Sequence, residues 1–110
     1  MSETKLSKAI RVAIARHFPG IRFTRLQAGI ITAKHGAKIH CADNGWCDIV
    51  GYLPDGRFFG VEVKMPGSVT QKERKELQDA RLADINACGG IAIKVEGVLD
   101  CITQLKERGL

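Results

Sequence analysis

The sequence predicts one α/β domain spanning residues 1–110, built on a mixed β-sheet flanked by helices. Three observations carry this expectation. Two strand-like runs flank Pro54-Asp55-Gly56, a tripeptide suited to a hairpin turn. After the second run come a long helical stretch and the apolar run Ile91–Val95, and this strand–helix–strand order implies a right-handed parallel crossover. An amphipathic helix opens the chain.

Helix 1 is expected from about Glu3 to Phe18, capped by Ser2 and stopped by Pro19-Gly20. Leu6, Ile10, Ala13, Ile14 and Phe18 recur at helical spacing and form its buried stripe. Ile21–Leu26 alternates as a short strand, and Gly29–Asn44 reads as a strand with exposed loops. Cys47–Leu53 and Arg57–Lys64 are the hairpin strands. Pro66-Gly67 ends the second of them, and Ser68 or Thr70 caps a helix that reaches about Cys88 and stops at Gly89-Gly90. Ile91–Val95 is the last strand and Val98–Arg108 the last helix.

Apolar residues make up 45% of the chain and charged residues 26%, which excludes disorder and allows a packed core. No apolar run approaches the roughly 20 residues of a membrane helix. The N-terminal stretch is basic and amphipathic without the apolar centre of a secretory leader, so a cytoplasmic protein is expected. Cys41, Cys47, Cys88 and Cys101 include no CxxC pair and are expected to be free, mostly buried thiols. A loop zinc site from His35, His40, Cys41 and Cys47 is the competing expectation.

Lys and Arg outnumber Asp and Glu 17 to 12, and the excess is uneven. Residues 1–42 hold eight basic side chains against one acid, Glu3, whereas residues 43–110 hold nine bases and eleven acids. A basic half beside an acid-containing half suits a polyanion clamp next to a cation-dependent centre. A solvated surface with chance clustering would have the same composition. Six aromatic residues are few for a protein that binds single strands by base stacking.

The chemistry is expected at the end of the hairpin. Alternation along Phe58–Lys64 puts Phe59, Val61 and Val63 on one face and Phe58, Gly60, Glu62 and Lys64 on the other. Pro54-Asp55-Gly56 favours a type I turn with Gly56 in the left-handed bulge position, a three-residue loop that pairs Leu53 with Arg57. That register sets Asp48 across from Glu62 on the same face; a two-residue loop would set it beside Val63 instead. Two carboxylates in cross-strand contact repel, and a divalent cation turns the repulsion into coordination. Oxygen ligands favour Mg²⁺ or Mn²⁺, and Lys64 stands on the same face to orient an attacking water. A plain surface pair, with Glu62 bridged to Lys64 and Asp48 solvated, is the alternative.

With these residues, the chain resembles the PD-(D/E)XK nuclease superfamily, and within it the stand-alone virus-type replication-repair nuclease (VRR-NUC) domain. The resemblance covers nearly the whole chain. It rests on Glu3 ahead of helix 1, Arg25-Leu26-Gln27-Ala28-Gly29, Gly45-Trp46-Cys47-Asp48, Glu62-Val63-Lys64, and Gln78 with Leu82, Ile85 and Gly89. Cys47 stands where the family has proline and Gln27 where it has asparagine.

The resemblance implies a restriction-endonuclease-like core and metal-dependent hydrolysis of DNA that leaves a 5′-phosphate and a 3′-hydroxyl. Asp48, Glu62 and the Val63 carbonyl would hold the metal, Lys64 would assist water attack, and Gln78 would support the site or contact phosphate. Gln71, seven residues earlier on the same helix face, competes for the last role. Glu3 either completes the metal shell or is a helix-start carboxylate stabilised by the dipole. Arg25 and Gln27 are the first DNA-contact candidates, with Lys34 and Lys38 on a mobile loop. Small viral members imply a homodimer acting on branched DNA such as four-way (Holliday) junctions, in a bacterium or phage-infected cell, with no organic cofactor and no membrane. A non-catalytic nucleic-acid-binding or assembly module on the same fold is the alternative. Trp46 is expected as a core or dimer-interface anchor.

Overall fold

The computed structural model describes residues 1–110. Its elements are α1 (Glu3–His17), β1 (Arg22–Arg25), β2 (Ile30–Thr32), β3 (Lys38–His40), β4 (Ile49–Tyr52), β5 (Phe58–Val63), α2 (Lys72–Ala87), β6 (Ile91–Val95) and α3 (Val98–Glu107). A four-stranded sheet has the order β1-β4-β5-β6, antiparallel except for the parallel β5–β6 pair that α2 connects. This is the mixed α/β arrangement expected. No helix is long and apolar enough to cross a membrane.

Strand β5 is central because it can be buried on both faces. Phe59, Val61 and Val63 join Ile49, Ile91, Ile93 and Val95 in the main core, closed by Leu6, Ile10 and Ile14 of α1 and by Cys101 and Leu105 of α3. The other face carries a small cluster of Cys47, Ile85 and Ala92, to which Val50, Phe58 and Leu82 add partly buried surface. Alternation therefore sorts α1 and α3 to one side and α2 to the other. The second side is the thinner layer, and Glu62 points into it.

Helix α1 follows its sequence signals closely. Ser2 Oγ accepts the Lys5 N–H at 3.2 Å, and the expected stripe is buried. The hairpin register is also the expected one, with Ile49 opposite Val61, Val50 opposite Gly60 and Tyr52 opposite Phe58. Its loop closes through Leu53 N–H to Arg57 O and Gly56 N–H to Leu53 O, both 2.9 Å, with Gly56 at φ +89.

Three expectations need correction. Neither Ser68 nor Thr70 caps α2: its N-cap is Gln71, without a side-chain cap bond. The Pro66-Gly67 turn uses Ser68 Oγ to bond Met65 O at 2.8 Å, and Thr70 Oγ1 accepts from Lys64 Nζ at 3.1 Å, so the helix starts later. Residues 29–44 form two strands, not one. β2 and β3 pair Ile31 with Ile39 in a separate two-stranded ribbon, closed by Ala33 N–H to Ala37 O and Gly36 N–H to Ala33 O. That is the bonding pattern of the Pro-Asp-Gly loop, made here by Lys34-His35-Gly36. Finally, Cys47 lies before β4 and packs on the α2 side, against Gly60, where a longer alternating strand would have sent it to the main core.

The sheet edge at β6 is covered by side chains. Asn86 Nδ2 donates to Ala92 O at 2.9 Å and Asn86 Oδ1 accepts from Ala92 N–H at 3.1 Å, while Gln104 Nε2 donates to Lys94 O at 2.8 Å. These amides occupy positions another strand would take, which blunts the edge.

Candidate functional site

Continuing the β4–β5 ladder one step past Ile49 and Val61 brings Asp48 opposite Glu62. Asp48 Oδ2 accepts the Val63 main-chain N–H at 2.8 Å, which holds its carboxylate against the end of β5. Glu62 is only 2% exposed. Lys64 Nζ lies 3.7 Å from Glu62 Oε1 and donates to Thr70 Oγ1. Glu3, Asp48, Glu62, Lys64 and Gln78 line one cavity of about 370 Å³. The plain surface-pair alternative is met only in the Glu62–Lys64 contact; Asp48 is half-buried and hydrogen-bonded to the neighbouring strand.

Burial is the largest reason the Glu62 carboxyl is pushed up to about 8, followed by the Asp48 charge and a hydrogen bond to Asp48; Lys64 opposes the shift and Glu3 adds to it. Cys47 beneath the pair is pushed up to about 12, first by burial and then by Glu62 and Asp48. Its thiol is therefore neutral packing and not a nucleophile.

The loop leading to Asp48 is set by Gly45, which is buried with φ +95. A Cβ there would meet Leu77 O at 3.1 Å, so glycine allows this loop to lie directly on α2. Gln78, the next residue on that helix, is 4% exposed and its Oε1 has no hydrogen-bond partner. Between the two candidate glutamines, Gln78 is the buried one; Gln71 sits exposed at the helix N-cap and also borders the cavity.

The ligands on offer are hard oxygens: the Asp48 and Glu62 carboxylates and the unpartnered Gln78 amide oxygen. This donor set fits a divalent cation that prefers oxygen, and a cation would relieve the crowding of the two acids. Glu3 shares the cavity, but no three His, Cys, Asp or Glu side chains gather in the geometry of a metal site anywhere in the protein. The zinc expectation thus finds no assembled ligand group: Cys47 is buried under β5, and Cys41 Sγ points to Ile39 O. All four cysteines are free.

The DNA-contact candidates divide. Arg25 and Gln27 line a second cavity of about 120 Å³ that shares Glu3, Asp48 and Gln78 with the first. Lys34 and Lys38 line neither; they lie on the exposed β2–β3 ribbon, where Lys38 Nζ donates to Thr32 Oγ1 at 2.9 Å. Trp46 is half-buried, tilted on Phe58 at 6.0 Å with the Arg81 guanidinium 4.2 Å above its ring, so within one chain it is an anchor for α2. Two residues at the site were not expected there. Thr70 holds Lys64, and Arg74 borders both cavities. Arg74 was legible in principle, since Gln71, Arg74 and Gln78 fall on one face at helical spacing.

Comparison of the chain with protein-family models, with curated proteins and with solved structures finds no match.

Proposed function

We propose that this protein is a Mg²⁺- or Mn²⁺-dependent DNA endonuclease with a restriction-endonuclease-like core, similar to stand-alone VRR-NUC domains. It hydrolyses phosphodiester bonds in branched DNA, Holliday junctions among them, as a homodimer in the cytoplasm of a bacterium or phage-infected cell. The observation that carries the reading is the pairing of Asp48 with the buried Glu62 in one cavity, with Lys64 3.7 Å from the Glu62 carboxylate. An isolated pair of this kind destabilises a sheet, and a hydrolase gives it a use.

Asp48, Glu62 and the Val63 carbonyl would hold the cation, with Glu3 within the same cavity. When bound, the cation supplies positive charge to offset both carboxylates and to polarise a phosphodiester oxygen. The residues of the chain do the rest. Val63 N–H fixes the Asp48 carboxylate, and Thr70 Oγ1 steadies Lys64 so that its ammonium orients the attacking water. Water oxygen bonds to phosphorus as it releases a proton to solvent, the bond to the 3′ oxygen breaks, and that oxygen takes a proton from solvent to give the 3′-hydroxyl. Arg25, Gln27, Lys34 and Lys38 hold the DNA backbone, and Gln78 supports the centre. A second reading, a binding module without catalysis, is favoured by one observation: no third acidic ligand closes on the pair.

Incubating the protein with supercoiled plasmid and with four-way-junction DNA in Mg²⁺ or Mn²⁺ separates the two. Nicking or resolution that EDTA, Asp48→Ala and Lys64→Ala each abolish is the expected result. Binding with no cleavage across varied salt and pH overturns the nuclease reading in favour of the module.

A further inference from the structure

Arg74 stands in the first turn of α2 beside Glu3, Asp48 and Glu62, yet no carboxylate lies within ion-pair distance of its guanidinium. A free arginine on a helix surface is ordinary. This one is distinguished by where it stands: it lines the cavity of the carboxylate pair, the second cavity with Arg25 and Gln27, and a third of about 470 Å³. Glu3, Asp48 and Gln78 are common to the first two, and Gln27 and Ala28 to the second and third. The three adjoin as one polar groove that ends at Ile30, the first residue of the β2–β3 ribbon.

The ribbon itself has the character of an arm. Its Ile30, Ile31 and Ile39 are 59%, 40% and 45% exposed. Residues 30–40 carry Lys34, His35, Lys38 and His40 and no acid. It is tied back to the body next to Gln27, through Ala42 N–H to Gln27 O and Gly29 N–H to Ala42 O. A two-stranded ribbon of this sort suits a DNA groove, and its lysines suit phosphates.

We infer that the groove is the track of one DNA strand, running from the carboxylate pair to the root of the β2–β3 ribbon, with Arg74 as its midway phosphate contact. The inference rests on the DNA reading above and adds a direction and a positioning residue to it. The five N–H donors of an unpaired guanidinium match a phosphodiester, and its place between the acids and the ribbon fixes which way the strand leaves the centre. The same positive charge screens the incoming phosphate from Glu3, Asp48 and Glu62.

The test is fluorescence anisotropy with labelled duplex and four-way-junction oligonucleotides in EDTA, between 50 and 200 mM salt, so that cleavage does not enter. Arg74→Ala is expected to weaken binding roughly five- to tenfold and to lower the slope of log affinity against log salt by about one. Arg74→Lys should keep most of the slope while recovering only part of the affinity. Arg16→Ala, which removes a charge bordering none of the three cavities, serves as the control. A Lys34→Ala/Lys38→Ala pair should lower the slope further and add to Arg74→Ala. If Arg74→Ala changes no more than Arg16→Ala while the wild type binds well, the track is wrong and the DNA reading survives. A loss from Arg74→Ala with none from the lysine pair overturns the path toward the ribbon. If the wild type binds neither DNA, the inference and the DNA reading fall together.

Discussion

Asp48 accepts the main-chain N–H of Val63, fifteen positions later in the chain, at 2.8 Å. This single bond ties the carboxylate, carried on the loop just before β4, to the strand that carries Glu62. Crowding them is unfavourable in the absence of a cation, and the cost is concentrated on Glu62, which is buried and pushed up to about 8.

That shift gives the cation-free protein a pH dependence of known sign. A carboxyl whose folded value lies above its ordinary 4.5 holds a proton between about 4.5 and 8 that the unfolded chain has released. Stability therefore falls as pH rises through that window. Urea unfolding in EDTA should show the wild type losing roughly 1–3 kcal/mol from pH 5 to pH 8, and Glu62→Gln should flatten the dependence and be the more stable protein at pH 8. Parallel pH profiles for the two proteins would remove this account of Glu62.

Added Mn²⁺ should raise the melting temperature of the wild type at pH 8 more than at pH 5, because the ligand must shed its proton to bind. Asp48→Ala and Glu62→Gln should each lose most of that gain. Equal stabilisation of wild type and Asp48→Ala would place any bound cation elsewhere.

Gly56 tests the origin of the register. Nothing lies within 4 Å of a Cβ built there, so the cost of a side chain comes from its φ of +89 alone. Gly56→Val should destabilise the fold by about 1–2 kcal/mol and weaken Mn²⁺ binding more than Arg57→Ala does. A folded Gly56→Val protein with wild-type metal affinity would show that the turn does not set the Asp48–Glu62 pairing.

Gly45 is a harsher position, because its φ of +95 is joined by the approach of Leu77 O. Gly45→Ala is expected to cost about 1–3 kcal/mol and to reduce DNA cleavage beyond what the loss of folded protein explains, since the loop carrying Asp48 must lift from α2. Thermal melts paired with activity per folded molecule measure both.

Asn86 joins α2 to β6 through both main-chain groups of Ala92 and also accepts from Arg108 at 2.7 Å. Asn86→Ala should cost about 2–3 kcal/mol and uncover a strand edge, so light scattering on heating should rise earlier than in the wild type. An unchanged scattering onset would mean that the edge is protected by other means.

The sequence by itself determined what depends on neighbours along the chain. The α1 stripe, the Ser2 cap, the strand–helix–strand order and the hairpin register all follow from short-range spacing and from one turn whose glycine must be left-handed. Tertiary structure decided whatever depends on contacts between distant segments. The side on which Cys47 lies turned on the loop that Gly45 allows against α2; Thr70, which local spacing offers as a helix cap, instead accepts from the Lys64 ammonium six residues earlier. Residues 29–44 read as one strand and not as the paired β2–β3 ribbon because its two strands are three residues each and exposed throughout, so no buried face imprints a period on them. Arg74 shares a helix face with Gln71 and Gln78, a spacing visible along the chain, but which surface that face meets was decided by the packing of α2 against the sheet.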